Sequence, residues 1–214
     1  MTVHGSQIPE AMLRRIPRQA RSRERLAHVL ATADRLLAAE GPEALTTTRV
    51  AAEAGMSVGA VYQYLPDRDA IIEALATSYL ARIEVTMASF VAAATEQHRA
   101  DPVGALVDAF AQVYRSENGF RALWFGRHLT EATRCADREY KRRMADMLRE
   151  LVLAQQQVID SARLPDACRA AHLIADTLLQ EAFRADPEGD PALLREAKTA
   201  LRGYLAALTA PTRR

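Results

Sequence analysis

Apolar residues recur at helical spacing along almost the whole chain, and polar breaks divide that pattern into segments. Leu26, Val29, Leu30, Ala33, Leu36 and Leu37 form the first apolar stripe, which ends at Gly41-Pro42 and predicts a helix over 22–40. A short helix carrying Val50, Ala51 and Ala54 follows, then Gly55, then a second short helix over 58–64 behind Ser57. Gly55 suits the left-handed position that closes a helix, and the Ser57 hydroxyl can cap the next one. Leu65-Pro66-Asp67 breaks the chain again. A long helix then starts with Asp67 as N-cap and runs through Ile72, Leu75, Tyr79, Ile83, Met87, Phe90 and Ala94.

Beyond Asp101-Pro102 another stripe holds Leu106, Phe110, Val113 and Tyr114, and an aromatic-rich segment with Phe120, Trp124 and Phe125 lies between Gly119 and Gly126. A charged helix is expected over 130–162. Two amphipathic helices close the chain, over 166–184 and 191–208. Both stripes exceed what one thin domain can hide, so this hairpin is expected to meet a partner, with Ile174, Leu178, Leu194, Leu201 and Leu205 on the shared face. No strand-like alternation or internal repeat occurs, and the chain reads as all-α with about nine helices.

The helix–turn–helix over 46–65 has the chemistry of a nucleic-acid reader. Its second helix puts the small residues Gly59 and Ala60 where a backbone can approach a surface closely, followed by Tyr62, Gln63 and Tyr64, which offer hydroxyls for phosphate and an amide for a base edge. Among Thr46, Thr47 and Thr48, one hydroxyl can cap the first short helix and another can face a phosphate, the expectation falling on Thr47.

In Thr46, Val50, Ala51, Ala54, Gly55, Met56, Ser57, Gly59, Val61, Tyr62, Tyr64, Leu65 and Arg68 the chain resembles the tetracycline-repressor (TetR) family of bacterial transcription regulators. The resemblance covers about a quarter of the chain. It implies a homodimeric repressor that reads a palindromic operator in double-stranded DNA and is released by a small-molecule effector. Thr47, Thr48, Ser57 and Arg68 would then lie on phosphates, with Val58, Gly59, Ala60, Tyr62, Gln63 and Tyr64 facing the DNA. Arg68 stands where the family usually has Lys, and Val58 and Ala60 stand where polar residues are common, which throws base reading onto Gln63. The resemblance also implies an effector pocket in the helical domain, for which Met87, Phe90, Phe110, Tyr114, Phe120, Trp124, Phe125, Arg127, His128 and Met147 are the candidates. A hydrophobic or aromatic effector follows, whose carboxylate, if it has one, Arg127 or His128 can hold. The expected organisation is a basic arm over 1–20, a DNA-binding domain over 21–68 and an effector and dimerisation domain over 69–214.

Charge changes this picture only in its distribution. The sum is +1, from 28 Lys and Arg against 27 Asp and Glu, yet Arg14, Arg15, Arg18, Arg21, Arg23 and Arg25 crowd the region before and into the first helix, opposed by Glu10 and Glu24. Cys135 and Cys168 form neither a disulfide framework nor a zinc spacing, and the five histidines show no paired ligand pattern. No cofactor is expected. An enzyme has no motif to rest on, and a helical adaptor would have no use for Tyr62 and Gln63. The absence of a signal peptide or an apolar span points to a cytoplasmic protein that does not enter a membrane.

Overall fold

The computed structural model describes residues 20–94, 99–126, 129–156 and 158–209. Within them lie nine α-helices and one 3-10 turn, and no strand. The helices are α1 (Ala20–Glu40), α2 (Thr47–Glu53), α3 (Val58–Tyr62), α4 (Arg68–Ala93), α5 (Pro102–Ser116), α6 (Asn118–Trp124), α7 (Glu131–Ala154), α8 (Leu164–Ala185) and α9 (Pro191–Thr209), with the 3-10 turn over Pro42–Ala44. None of the described helices is long and apolar enough to cross a membrane.

The chain divides into two compact units, Met1–Ala81 with Glu117–Ala136, and Arg82–Ser116 with Asp137–Arg214. In the first unit α1 packs on α2, on the 3-10 turn and on α6, while α2 packs on α3. Helices as short as α2 and α3 are marginal by themselves, so their stability comes from this packing. Val50, Ala51, Val61 and Leu65 are fully buried, and so are Val29, Ala33 and Leu37 on α1. The first stripe read from the sequence is thus the floor on which the helix–turn–helix rests.

In the second unit α8 packs on α9, and α5 packs on both. Asp101 accepts the Gly104 N–H (3.0 Å) at the start of α5, and Arg202 of α9 reaches the same carboxylate with two nitrogens (3.1 and 2.5 Å). That pairing, with the Arg202 bond first, holds the Asp101 carboxyl below its ordinary range. Tyr114 stacks on Phe183 (5.1 Å between centroids), and the Arg115 guanidinium lies over the same ring. Leu194, Leu201 and Leu205 are buried by the chain itself. The expectation that these three side chains form a partner surface is therefore corrected: they hold α9 in its own unit, and the open side of α9 carries Ala192, Glu196, Thr199, Ala200 and Gly203 instead. Ile174 and Leu178 are half-buried, and Leu173 is 42% exposed.

Candidate nucleic-acid interface

The turn between α2 and α3 is closed by a paired arrangement of backbone bonds. Met56 N–H donates to Ala51 O (2.9 Å) and Gly55 N–H to Ala52 O (3.1 Å), the two bonds of a Schellman motif, with Gly55 at φ 63°. A residue with a side chain is strained at that angle, which is why glycine stands there. Two residues on, the Ser57 hydroxyl accepts the Ala60 N–H (3.2 Å) and caps α3. Thr46 caps α2 in the same way, accepting from Arg49 N–H at 3.1 Å. The Ser57 cap and the left-handed glycine follow from the sequence reading, which left the cap of α2 open among Thr46, Thr47 and Thr48.

This geometry sorts the predicted contact residues. Thr48, Ser57, Gly59, Tyr62 and Gln63 are exposed, Tyr62 at 41%, and Val58 and Ala60 are half-buried beside them. Thr47 and Tyr64 are corrections, being 7% and 6% exposed. With Thr46 as cap, Thr47 becomes the first helical residue and shares an inward face with Val50 and Ala51. Tyr64 lies three residues after Val61 and turns inward with it; the Val61, Tyr64, Leu65 spacing was the signal for this. Arg68 also differs from expectation, because its Nη2 donates to the Pro42 carbonyl (2.8 Å) and sits 3.4 Å from Glu43. The cation at the start of α4 has found its anion inside the protein, where it ties the 3-10 turn to α4. Asp67 caps α4 as read, accepting the Ala70 N–H at 2.8 Å.

An open groove of about 520 Å³ runs beside α3, lined by Arg21, Glu24, Arg25 and His28 of α1 and by Met56, Ser57 and Ala60. Arg21 and Arg25 are exposed, so the basic stretch continues into the folded part of α1 along this groove. Arg14, Arg15 and Arg18 of the arm lie outside the described residues. His28, passed over in the sequence, donates from Nε2 to the Ala54 carbonyl at 3.1 Å.

The residues named for an effector fall into both compact units. Phe120, Trp124 and Phe125 belong to the first, where Phe120 packs against Trp124 (4.6 Å) and meets Tyr79 edge-on (5.8 Å). Met87, Phe90, Phe110, Tyr114 and Met147 belong to the second. Of these, Met87 and Tyr114 are buried, while Phe90, Phe110 and Met147 are half-buried, with the Arg99 guanidinium 5.0 Å from the Phe90 ring centre. Arg127 and His128 lie outside the described residues. The second unit also contains a polar cluster: Lys141 lies between Asp137 (2.9 Å) and Asp176 (3.0 Å), and Tyr140 meets His172 edge-on. Burial works against the Lys141 charge, but Asp176 and Asp137 together hold its ammonium above the ordinary value. Burial pushes the Tyr114 and Tyr140 phenols up, so both stay neutral donors. Among the described residues no group of three or more His, Cys, Asp or Glu side chains is placed to hold a metal ion.

Residues 29–75 match the family model described as bacterial regulatory proteins, tetR family, and residues 97–209, more than half of the chain, match that of the tetracyclin repressor-like C-terminal domain. Comparison with curated proteins gave no significant match. Among solved structures, a TetR-family transcriptional regulator from Streptomyces coelicolor is similar at 29% identity and a TM-score of 0.62, over 86% of this chain and 99% of that one. The SmeT–triclosan complex is similar at 18% identity and a TM-score of 0.61, over 88% and 93%. NalD, the secondary repressor of the MexAB-OprM multidrug efflux pump in Pseudomonas aeruginosa, is similar at 18% identity and a TM-score of 0.59, over 89% and 98%.

Proposed function

The chain belongs to the tetracycline-repressor (TetR) family of bacterial regulatory proteins, a family of DNA-binding regulators, and on that premise we propose that it is a homodimeric repressor of a palindromic operator. The observation that carries this reading is the outer face of α3. A helix capped by Ser57 presents Gly59, Tyr62 and Gln63 to solvent next to the exposed Arg21 and Arg25. Gly59 and Ala60 let the backbone approach the major groove, Tyr62 and Ser57 reach phosphate, and Gln63 reads a base edge. Two copies related by a twofold axis read half-sites about one helical turn, roughly 34–36 Å, apart.

The face that joins the copies contains Leu173, Ile174, Thr177 and Leu178 of α8 and the small residues of α9. Small side chains support this assignment because they let two helices approach closely; at Gly203 an added β-carbon would meet nothing within the chain.

A relative of the same fold is recorded with triclosan, and for this chain a small, largely hydrophobic effector is proposed in the second unit. The half-buried Phe90, Phe110 and Met147 support it by leaving apolar surface partly open, and Lys141 with its two carboxylates supplies polarity. Release from DNA requires that the effector bind one conformation better than the other, a difference of about 1–3 kcal/mol giving roughly 5–150-fold weaker operator binding. A protein acting on the bacterial chromosome works in the cytoplasm.

Mobility shift with the DNA upstream of the protein's own gene tests the reading against a scrambled duplex of equal length. Preferential retardation of the upstream duplex is expected. Equal binding of both duplexes overturns recognition of an operator there, and binding of neither favours a helical adaptor.

A further inference from the structure

The Schellman motif at the end of α2 satisfies the carbonyls of Ala51 and Ala52, but the carbonyl of Ala54, at the C-cap itself, lies beyond its reach. His28 Nε2 takes that carbonyl at 3.1 Å across 26 residues of sequence. The bond requires a proton on Nε2 and ties the turn to α1. Residues 21, 25 and 28 share one face of α1, so the side chain that grips the turn stands in line with Arg21 and Arg25 along the groove whose other wall includes Ser57 and Ala60.

We propose that His28 is a positioning residue for DNA recognition, tying the end of α2, and through the turn α3, to α1 so that the groove arginines and the base-reading side chains engage one duplex in register. Arg21 and Arg25 take backbone phosphates along the groove, whereas His28 touches no DNA atom and acts through the Ala54 carbonyl. The inference rests on the proposed DNA binding. It goes beyond it by separating two roles on one helix face, phosphate neutralisation by the arginines and alignment by the imidazole.

The test uses the full-length protein, fluorescein-labelled upstream duplex and scrambled duplex, titrated at several NaCl concentrations well below each variant's melting temperature. Arg21→Ala and Arg25→Ala are each expected to reduce the slope of log affinity against log salt by about one, as loss of a phosphate contact requires. His28→Ala is expected to keep the wild-type slope and to lower the preference for the upstream over the scrambled duplex by up to about tenfold, the upper end of what one hydrogen bond contributes. His28→Gln, whose amide can donate to Ala54, should recover most of that preference. If His28→Ala is unstable, His28→Met keeps the volume without the donor. An unchanged preference overturns the proposal, as does a slope that falls by one, which would make His28 a phosphate contact, or a glutamine variant no better than the donor-less one. Wild-type protein that prefers neither duplex overturns the DNA-binding reading instead, and this inference with it.

Discussion

Tyr79 of α4 donates its hydroxyl to the Asp34 carboxylate of α1, and Gly119 of α6 lies directly against that bond. A β-carbon at 119 would fall on the Asp34 oxygen and the Tyr79 hydroxyl. Tyr79 is fully buried and braced by Phe120, so the pair has no room to yield. Gly119→Ala is therefore expected to destabilise the first unit by about 1–3 kcal/mol, the range for overpacking a core. Urea unfolding measures this, and Trp124, the only tryptophan, should change its native emission because its neighbour Phe120 moves with α6. An alanine variant with wild-type stability and emission would mean that α6 does not sit as described.

Gln63→Ala removes the one exposed amide of the α3 face without touching the core. It is expected to relax discrimination at one operator position by about 1–3 kcal/mol while leaving binding to scrambled DNA unchanged. Competition with single-base operator variants reads this directly. Arg68→Ala should behave oppositely: losing its bond to Pro42 lowers the melting temperature and leaves the order of operator preferences intact.

On the proposed assembly, the open face of the α8–α9 pair joins two copies and the buried face holds the unit together. Leu173→Glu, on the open side, should give a folded monomer by sedimentation with full helical content by circular dichroism. Leu201→Glu, on the buried side, places a charge in the unit's own core and should cost about 3 kcal/mol or more, yielding insoluble chain. A folded Leu201→Glu monomer would exchange the two assignments.

His172 gives the second unit a pH dependence. Burial pushes its imidazole below the ordinary value, Asp176 and Asp137 oppose this, and Lys141 adds to the fall. Its Nε2 is buried without a hydrogen-bond partner. The unfolded chain thus takes up a proton more readily than the folded one. The His172 contribution is complete above about pH 6.5 and is lost as pH falls from there through the lowered folded value. His172→Phe should flatten the stability profile between about pH 7 and pH 5, seen in melting temperatures across buffers. An unaltered slope would place the acid sensitivity elsewhere.

The caps and breaks of the fold were legible because Ser57, Asp67 and Gly55 each act within three residues of their own position, a range over which sequence and geometry coincide. What was hidden depended on rotation or on distance. Three consecutive threonines do not say which one caps, and a shift of one residue turns a helix face by about 100°, enough to bury Thr47 and expose Thr48. Amphipathic periodicity showed that α9 has an apolar face but not that α5 and α8 cover it, which moved Leu194, Leu201 and Leu205 from a partner surface to the core. Arg68 and His28 found backbone carbonyls 26 residues away, pairings that no local pattern announces.

The α2–α3 turn is held by backbone bonds, one glycine, one hydroxyl and one imidazole, while Thr48, Gly59 and Gln63 stand outside that framework. Exposed substitutions away from caps and cores usually change stability by no more than about 0.5 kcal/mol. Exchanges at Thr48 and Gln63 are therefore nearly free of folding cost, so the operator preference proposed for this face can drift in a lineage while the turn that presents it stays folded.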